Sequence, residues 1–339
     1  MIIEIKEDIF NSNDFKSLNY FIQILTYKQR YELFVEWTII KETEYCQKLD
    51  LDEQKEIEES YNKIIQEGGD PKYFVSKSNG HNDYFNIEEA IRFLNQPVSI
   101  ILENSLNDQY FLMAMINYFD TTVDIQKQID NSWIQFENAG GCTNVENFIK
   151  GKLQSFNNFS CQYNKNNCTY LRCFVLLDSD KGYPNAPIKP EYGTDLLPFL
   201  NENHVTNHIL EKRSMENYMP DEVFSYIANT PELKNWLAVY LHMNNEQKNF
   251  LNINSGFSKK NQDATPKTQR NELKQEIQDL YSNISQANYE ILDKGFKLAS
   301  FKTEFPKNFD HHQVHKSTLQ DRCGTNELQE IIDKIATLL

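Results

Sequence analysis

Two aspartates one residue apart close the apolar run in "CFVLLDSDKGYP", Cys173 to Pro184. Carboxylates this close repel and resist ionising together, so Asp178 and Asp180 call for a compensating cation. An earlier apolar run, "VSIILEN", ends in Glu103, with Asn107 and Asp108 following shortly after. Hard oxygen donors of this kind suit Mg²⁺ or Mn²⁺. Ions held there would act as Lewis acids on a phosphodiester and clamp the attacking and leaving oxygens of an in-line displacement. Each piece has a plainer reading on its own, since an Asp-x-Asp after a strand is a common turn or helix cap. Their order along the chain is what points to a metal site.

An open parallel sheet would bring these groups together, because its chemistry sits outside the carboxyl ends of the strands. Between about 97 and 220 the chain has the texture such a sheet needs. "VSIILEN" is followed by the helical "SLNDQYFLMAMINYF", with Ser105 or Asn107 as N-cap. Next come "SWIQFENAGG", an alternating strand ending in Asn138, Gly140 and Gly141, and the helical "VENFIKGKLQSF". "YLRCFVLLDSD" and "HVTNHILEKR" complete the series. Strands alternating with helices predict a mainly parallel α/β sheet whose buried strands are continuously apolar. Residues 1–96 read as mostly helical and acidic, with "LDEQKEIEESYNKIIQE" an amphipathic helix. Residues 221–339 read as helical again. They include a polar linker at about 253–271, a helix from Glu272 to about Ala287 and a closing capped helix in "NELQEIIDKIATLL". No internal repeat is evident.

The 339 residues suggest two or three domains. With 34 Lys and Arg against 49 Asp and Glu, a net charge of −15 repels nucleic acid and anionic membranes over most of the surface. A phosphate-bearing partner must then be met locally, by a basic patch or through bound cations. The six cysteines show neither C-x-x-C nor zinc spacing, and no leader-like segment precedes them, so free thiols in a reducing cytoplasm are expected. No apolar run is long enough to span a bilayer.

The order of a strand with Glu, a strand with Gly-Gly and a strand with Asp-x-Asp resembles the TOPRIM domain. That metal-binding module is shared by type IA and type II topoisomerases, bacterial primases and OLD-type (overcoming lysogenisation defect) nucleases. The resemblance covers about 97 to 220 and implies a TOPRIM-like, mostly parallel sheet flanked by helices, with Glu103, Asp178 and Asp180 at the metal site. The stretch "NHILEKRSMENYMP" carries an E-x-R-x-x-E-N-Y run similar to OLD-type and anti-phage TOPRIM nucleases. By that likeness Glu216 and Glu211 add metal ligands, and Arg213 contacts a phosphate as a bidentate donor. Surface ion pairs among Glu211, Arg213 and Glu216 are the alternative.

The chain departs from the family in having Asn104 where Gly is usual and Asn107 where an acid is usual, with Asp108 one step later. An amide ligates without adding charge, so a second ion rests on other residues, Asp108 among them. OLD-type nucleases also use a lysine far beyond the Asp-x-Asp. In "ILDKGFKLASFKTEFPKNF", Lys294 and Lys297 are the first choices, with Lys302 and Lys307 interleaved among Phe296, Phe301, Phe305 and Phe309. Such interleaving suits a nucleic-acid groove, and equally a packed segment whose phenylalanines enter the core while its lysines stay wet. Lys181, beside the Asp-x-Asp, and Lys302 join Arg213 as candidate nucleic-acid contacts. His311, His312 and His315 lack a fourth zinc ligand at suitable spacing and read as an exposed loop, and Cys142 reads as a small buried residue.

The expected function is a Mg²⁺- or Mn²⁺-dependent endonuclease acting on DNA or RNA, with Glu103 as general base or metal ligand. The resemblance further implies an anti-phage defence effector working with an ATPase. The chain has no G-x-x-x-x-G-K-[ST], so that ATPase would be a separate subunit, docked on the acidic N-terminal region unless that region is purely structural. A non-cleaving sensor or assembly subunit that binds an ion or nucleotide is the competing expectation, and a homo-oligomer stays open.

Overall fold

Among the described residues, eight short strands build two four-stranded sheets, and every ladder in both is parallel. The computed structural model describes residues 1–11, 14–77, 81–121, 123–141, 144–189, 191–257 and 269–339. Cys142 and the 258–268 part of the expected linker lie outside them. The first sheet comprises β1 (Ile2–Ile5), β2 (Glu32–Phe34), β3 (Tyr73–Val75) and β4 (Tyr84–Phe85), in the order β2-β1-β3-β4. The second comprises β5 (Val98–Leu102), β6 (Ile134–Asn138), β7 (Cys173–Leu177) and β8 (Thr206–Ile209), in the order β6-β5-β7-β8.

The helices that matter below are α1 (Phe15–Thr26), α2 (Leu51–Glu67), α3 (Ile87–Asn95), α4 (Ser105–Phe119), α5 (Val145–Gln154), α6 (Leu197–Glu202), α7 (Pro231–Leu241), α8 (Lys316–Cys323) and α9 (Glu327–Ala336).

The central strands β5 and β7 are buried along their whole length, which is why they read as unbroken apolar runs. Successive side chains alternate between the two faces. Ile100, Leu102, Phe174 and Leu176 share a core with α4 and the C-terminal helices, whereas Ile101, Cys173, Val175 and Leu177 pack on the side of α5 and α6. Each such side chain is worth roughly 1.5–3 kcal/mol on burial, so both faces fix the register. The edge strand β6 alternates only at its start, with Ile134 buried and Gln135 exposed, while Phe136 and Glu137 are both half-buried and Asn138 is exposed.

The helical stretch after Pro220 is thus one wall of the second core, which runs from Val98 to Leu339. The stretch before Pro97 has its own core around β1 and α1, joined by Phe156 and Tyr170. A mostly helical N-terminal region was the expectation, and its helices are present. The first sheet was not anticipated, because its strands of two to four residues are too short to show a period. Both sheets also have the same strand order, a structural repeat that the sequence hides.

Three local expectations need correction. The N-cap of α4 is Asn104 rather than Ser105 or Asn107. The helix expected from Glu272 to about Ala287 is broken into Gln275–Leu280 and Gln286–Leu292. The closing helix α9 starts after Asn326, whose side chain makes no capping bond.

One buried ion pair lies between the N-terminal region and the segment after α5. Glu89 on α3, fully buried, meets Lys165 at 2.6 Å and the Tyr170 hydroxyl at 2.6 Å, tying the first module to the second. No disulfide links Cys46, Cys161, Cys168, Cys173 and Cys323. Among the described residues no helix is long and apolar enough to cross a membrane.

Candidate metal centre

β5 and β7 lie side by side in parallel, with Ile101 opposite Val175, so their carboxyl ends open at the same edge. Glu103 leaves β5 there and Asp178 leaves β7. The Glu103 carboxylate accepts from the Asp178 backbone N–H and, at 2.8 Å, from the Tyr192 hydroxyl. Its backbone is fixed as well: the Gly141 N–H donates to the Glu103 carbonyl at 3.0 Å. Gly140 and Gly141 have φ of +72° and +113°, a turn that a side chain would strain. Asn138 serves that turn, accepting from the Gly140 N–H at 3.0 Å, and contributes nothing to the carboxylate group.

Asp178 accepts from the Met215 N–H at 3.1 Å. Burial raises its carboxyl well above the usual range, and the charges of Glu216, Glu103, Asp108 and Asp180 push it further in that order. Five carboxylates from β5, α4, β7 and the loop after β8 therefore act on one another. Asp108, in the first turn of α4, is pushed up to about 7, chiefly by burial and then by Glu216 and Glu103, against the pull of the Asn104 N–H that it accepts at 2.7 Å. Burial likewise raises Glu103, although Tyr192 and Lys189 oppose this. Asp180 forms an ion pair with Lys189 and sits at φ +51°, a left-handed conformation that costs roughly 1 kcal/mol. The surrounding bonds hold it there: its N–H donates to the Arg213 carbonyl at 2.8 Å, and the Ser179 hydroxyl donates to the Lys212 carbonyl at 2.6 Å.

The E-x-R-x-x-E-N-Y run is built to bring in Glu216. Asn217, fully buried, donates to the carbonyls of Lys248 and Leu251 at 2.8 and 2.9 Å and accepts from the Ser214 N–H at 3.1 Å. The Tyr218 hydroxyl donates to Glu327, which also accepts from the Glu211 N–H at 2.7 Å and lies 2.8 Å from His208 Nε2. Lys212, also buried, donates to Asn249 at 2.7 Å and to the Cys323 carbonyl at 3.0 Å. Helices α8 and α9 thus clamp the loop from behind.

Several expected site residues lie elsewhere. Glu211 is exposed and its carboxylate accepts from Thr325 at 3.0 Å, so it turns away from the other five. Asn107 is buried in the first turn of α4. Arg213 stays near the Asp-x-Asp, but its Nη1 braces the Lys181 carbonyl at 3.2 Å. Lys294 lines a cleft of about 780 Å³ with Arg270, Gln278 and Tyr289, whereas Lys297 and Lys302 line a separate groove, and neither includes any of the five carboxylates. Phe296, Phe301, Phe305 and Phe309 are all buried and pack on one another and on Phe111, which removes the base-stacking reading of that segment. His315 caps α8, and His311 lies against Tyr226 and His312.

The cations and donors that do reach the carboxylates, Lys189 and Tyr192, carry no periodicity or motif in the sequence. Among the described residues no group of three or more His, Cys, Asp or Glu side chains is gathered closely enough to hold a metal ion as it stands. Four of the five carboxylates are engaged by protein donors: Tyr192 and the Asp178 amide, the Asn104 amide, the Met215 amide, and Lys189. The donor set is nonetheless all hard oxygen, and its carboxyls are raised first by burial and then by one another's charge. The first sheet serves as an internal comparison, since its equivalent strands β1 and β3 are followed by Lys6 and Ser76. That edge holds the carboxylate of Asp8, which accepts from the Ser76 hydroxyl at 2.8 Å and the Lys77 N–H at 2.9 Å. No family model, curated protein or solved structure matches this chain.

Proposed function

We propose that the chain is a divalent-metal-dependent nuclease that cleaves phosphodiester bonds of DNA or RNA. The observation that supports this most is the carboxyl edge shared by β5 and β7, where the Glu103 carboxylate accepts from the Asp178 N–H, Asp178 accepts from the Met215 N–H, and the charges of Glu216, Glu103, Asp108 and Asp180 act on Asp178 after its burial. Glu103, Asp178, Asp108 and Glu216 would hold Mg²⁺ or Mn²⁺, with Asp180 joining when released from Lys189. A bound ion would supply Lewis acidity at the phosphoryl oxygen and a more acidic attacking water. The chain's own groups do the rest. Glu103, kept oriented by Tyr192 and the Asp178 amide, takes up the proton of the attacking water at its carboxylate. Arg213 and Lys181, flanking the Asp-x-Asp turn, meet the phosphate backbone that the acidic surface otherwise repels.

The likeness to OLD-type nucleases supports placing the activity in an anti-phage system, in the cytoplasm, beside a separate ATPase. The engagement of the carboxylates by protein donors favours a second reading, a subunit that binds an ion or nucleotide without cutting. Incubating the purified protein with plasmid DNA and with tRNA, in Mg²⁺, Mn²⁺ or EDTA, separates the two. The nuclease reading expects cleavage that EDTA abolishes and that Glu103→Ala and Asp178→Ala each remove. Intact substrates under every metal condition, with the partner ATPase added, would leave the non-cleaving reading in its place.

A further inference from the structure

Lys189 and Tyr192 share one turn, closed by the Tyr192 and Gly193 amides donating to the Lys189 carbonyl at 2.9 and 3.1 Å. The turn has a fixed end and a loose end. Tyr192 is 1% exposed and packs in the core of Val175, Leu177 and Leu196, so its hydroxyl is a rigid post for Glu103. Lys189, by contrast, reaches Asp180 with a long flexible side chain that keeps about a third of its surface in water (32%, against 36% for Asp180), its ammonium 5.2 Å from the Tyr192 ring centroid. Its flexible stem lets the ammonium move off Asp180 without displacing the buried Tyr192 ring.

We propose that Lys189 is a built-in counter-ion that holds Asp180 closed against divalent metal and is displaced when metal enters. The inference rests on the metal-site reading above and adds how that site is regulated. An ammonium and a divalent ion cannot both neutralise Asp180, and their mutual repulsion across the site opposes joint occupancy. Metal affinity in the resting protein is therefore set below what the carboxylates alone would give. Tyr192 stays in place throughout and keeps Glu103 aligned, so only one of the outer carboxylates has to be released.

The test is Mn²⁺ binding to the full chain by isothermal titration calorimetry and electron paramagnetic resonance, without nucleic acid. Lys189→Met is expected to tighten Mn²⁺ binding about tenfold at low ionic strength, with the difference shrinking as salt is added. Lys189→Arg, which keeps the charge, should bind Mn²⁺ as the unmodified protein does. Equal or weaker binding by Lys189→Met, with binding by the unmodified chain measurable, overturns the counter-ion role and leaves the metal site intact. Absence of Mn²⁺ binding in all three proteins overturns the metal-site reading and this inference with it.

Discussion

Replacing Asp108 by Asn should stabilise the metal-free protein at high pH. Burial and the neighbouring Glu216 and Glu103 push this carboxyl from 3.8 to about 7. A folded value above the unfolded one means that folding favours the protonated form. The cost of Asp108 is absent below the unfolded value, grows as pH rises and is complete above about 7. At about 1.4 kcal/mol per tenfold change in proton affinity, the full displacement corresponds to about 4 kcal/mol. Asp108 is only half-buried, and solvent screening reduces this to about 2 kcal/mol. Asn keeps an oxygen for the Asn104 N–H, so the helix start is preserved. Urea denaturation in EDTA at pH 4 and pH 8 reads the effect. The two proteins should be nearly equal at pH 4. At pH 8 Asp108→Asn should be more stable by about 2 kcal/mol, or about 4 °C in Tm. Equal stability at pH 8, or a less stable variant, would refute the reasoning that burial, with the neighbouring carboxylates, disfavours the ionised form of Asp108.

Other substitutions test the supporting structure. Glu211→Ala should leave Mn²⁺ affinity unchanged in calorimetry, because its carboxylate is turned to Thr325. Tyr192→Phe removes the donor that holds Glu103 down, so the pH at which Mn²⁺ binding reaches half its maximum should move upward in a titration from pH 5 to 8. Lys165→Met strands the buried Glu89 carboxylate and should cost about 3–5 kcal/mol in chemical denaturation. Gly295→Ala would place a methyl group inside the Asn254 backbone at φ +71° and should lower stability by about 3 kcal/mol or block folding, read as Tm or soluble yield.

The sequence carried the second sheet well, because strands buried on both faces must be continuously apolar and β5 and β7 are. It also placed Glu103, Asp178 and Asp180 at the carboxyl edge of that sheet, because their positions follow directly from where those strands stop. The first sheet escaped notice because two to four residues cannot display an alternation, and its helices dominate the pattern. Lys189 and Tyr192 were overlooked for a different reason: their role comes from a turn that folds back over the sheet edge. The lysines among the phenylalanines show the limit of composition, since the same residues serve a groove or a core and only the packing against Phe111 decides. Likewise the motif offers both Glu211 and Glu216, and the structure separates them: Glu211 accepts from Thr325 at the surface, whereas the charge of Glu216 acts on Asp178 and Asp108.

The most direct measurement is anomalous diffraction from crystals of the full chain grown with Mn²⁺. A peak about 2.1 Å from carboxylate oxygens of both Glu103 and Asp178 is the predicted result. A saturated crystal with no peak between these two residues, or with its Mn²⁺ bound elsewhere, would contradict the account.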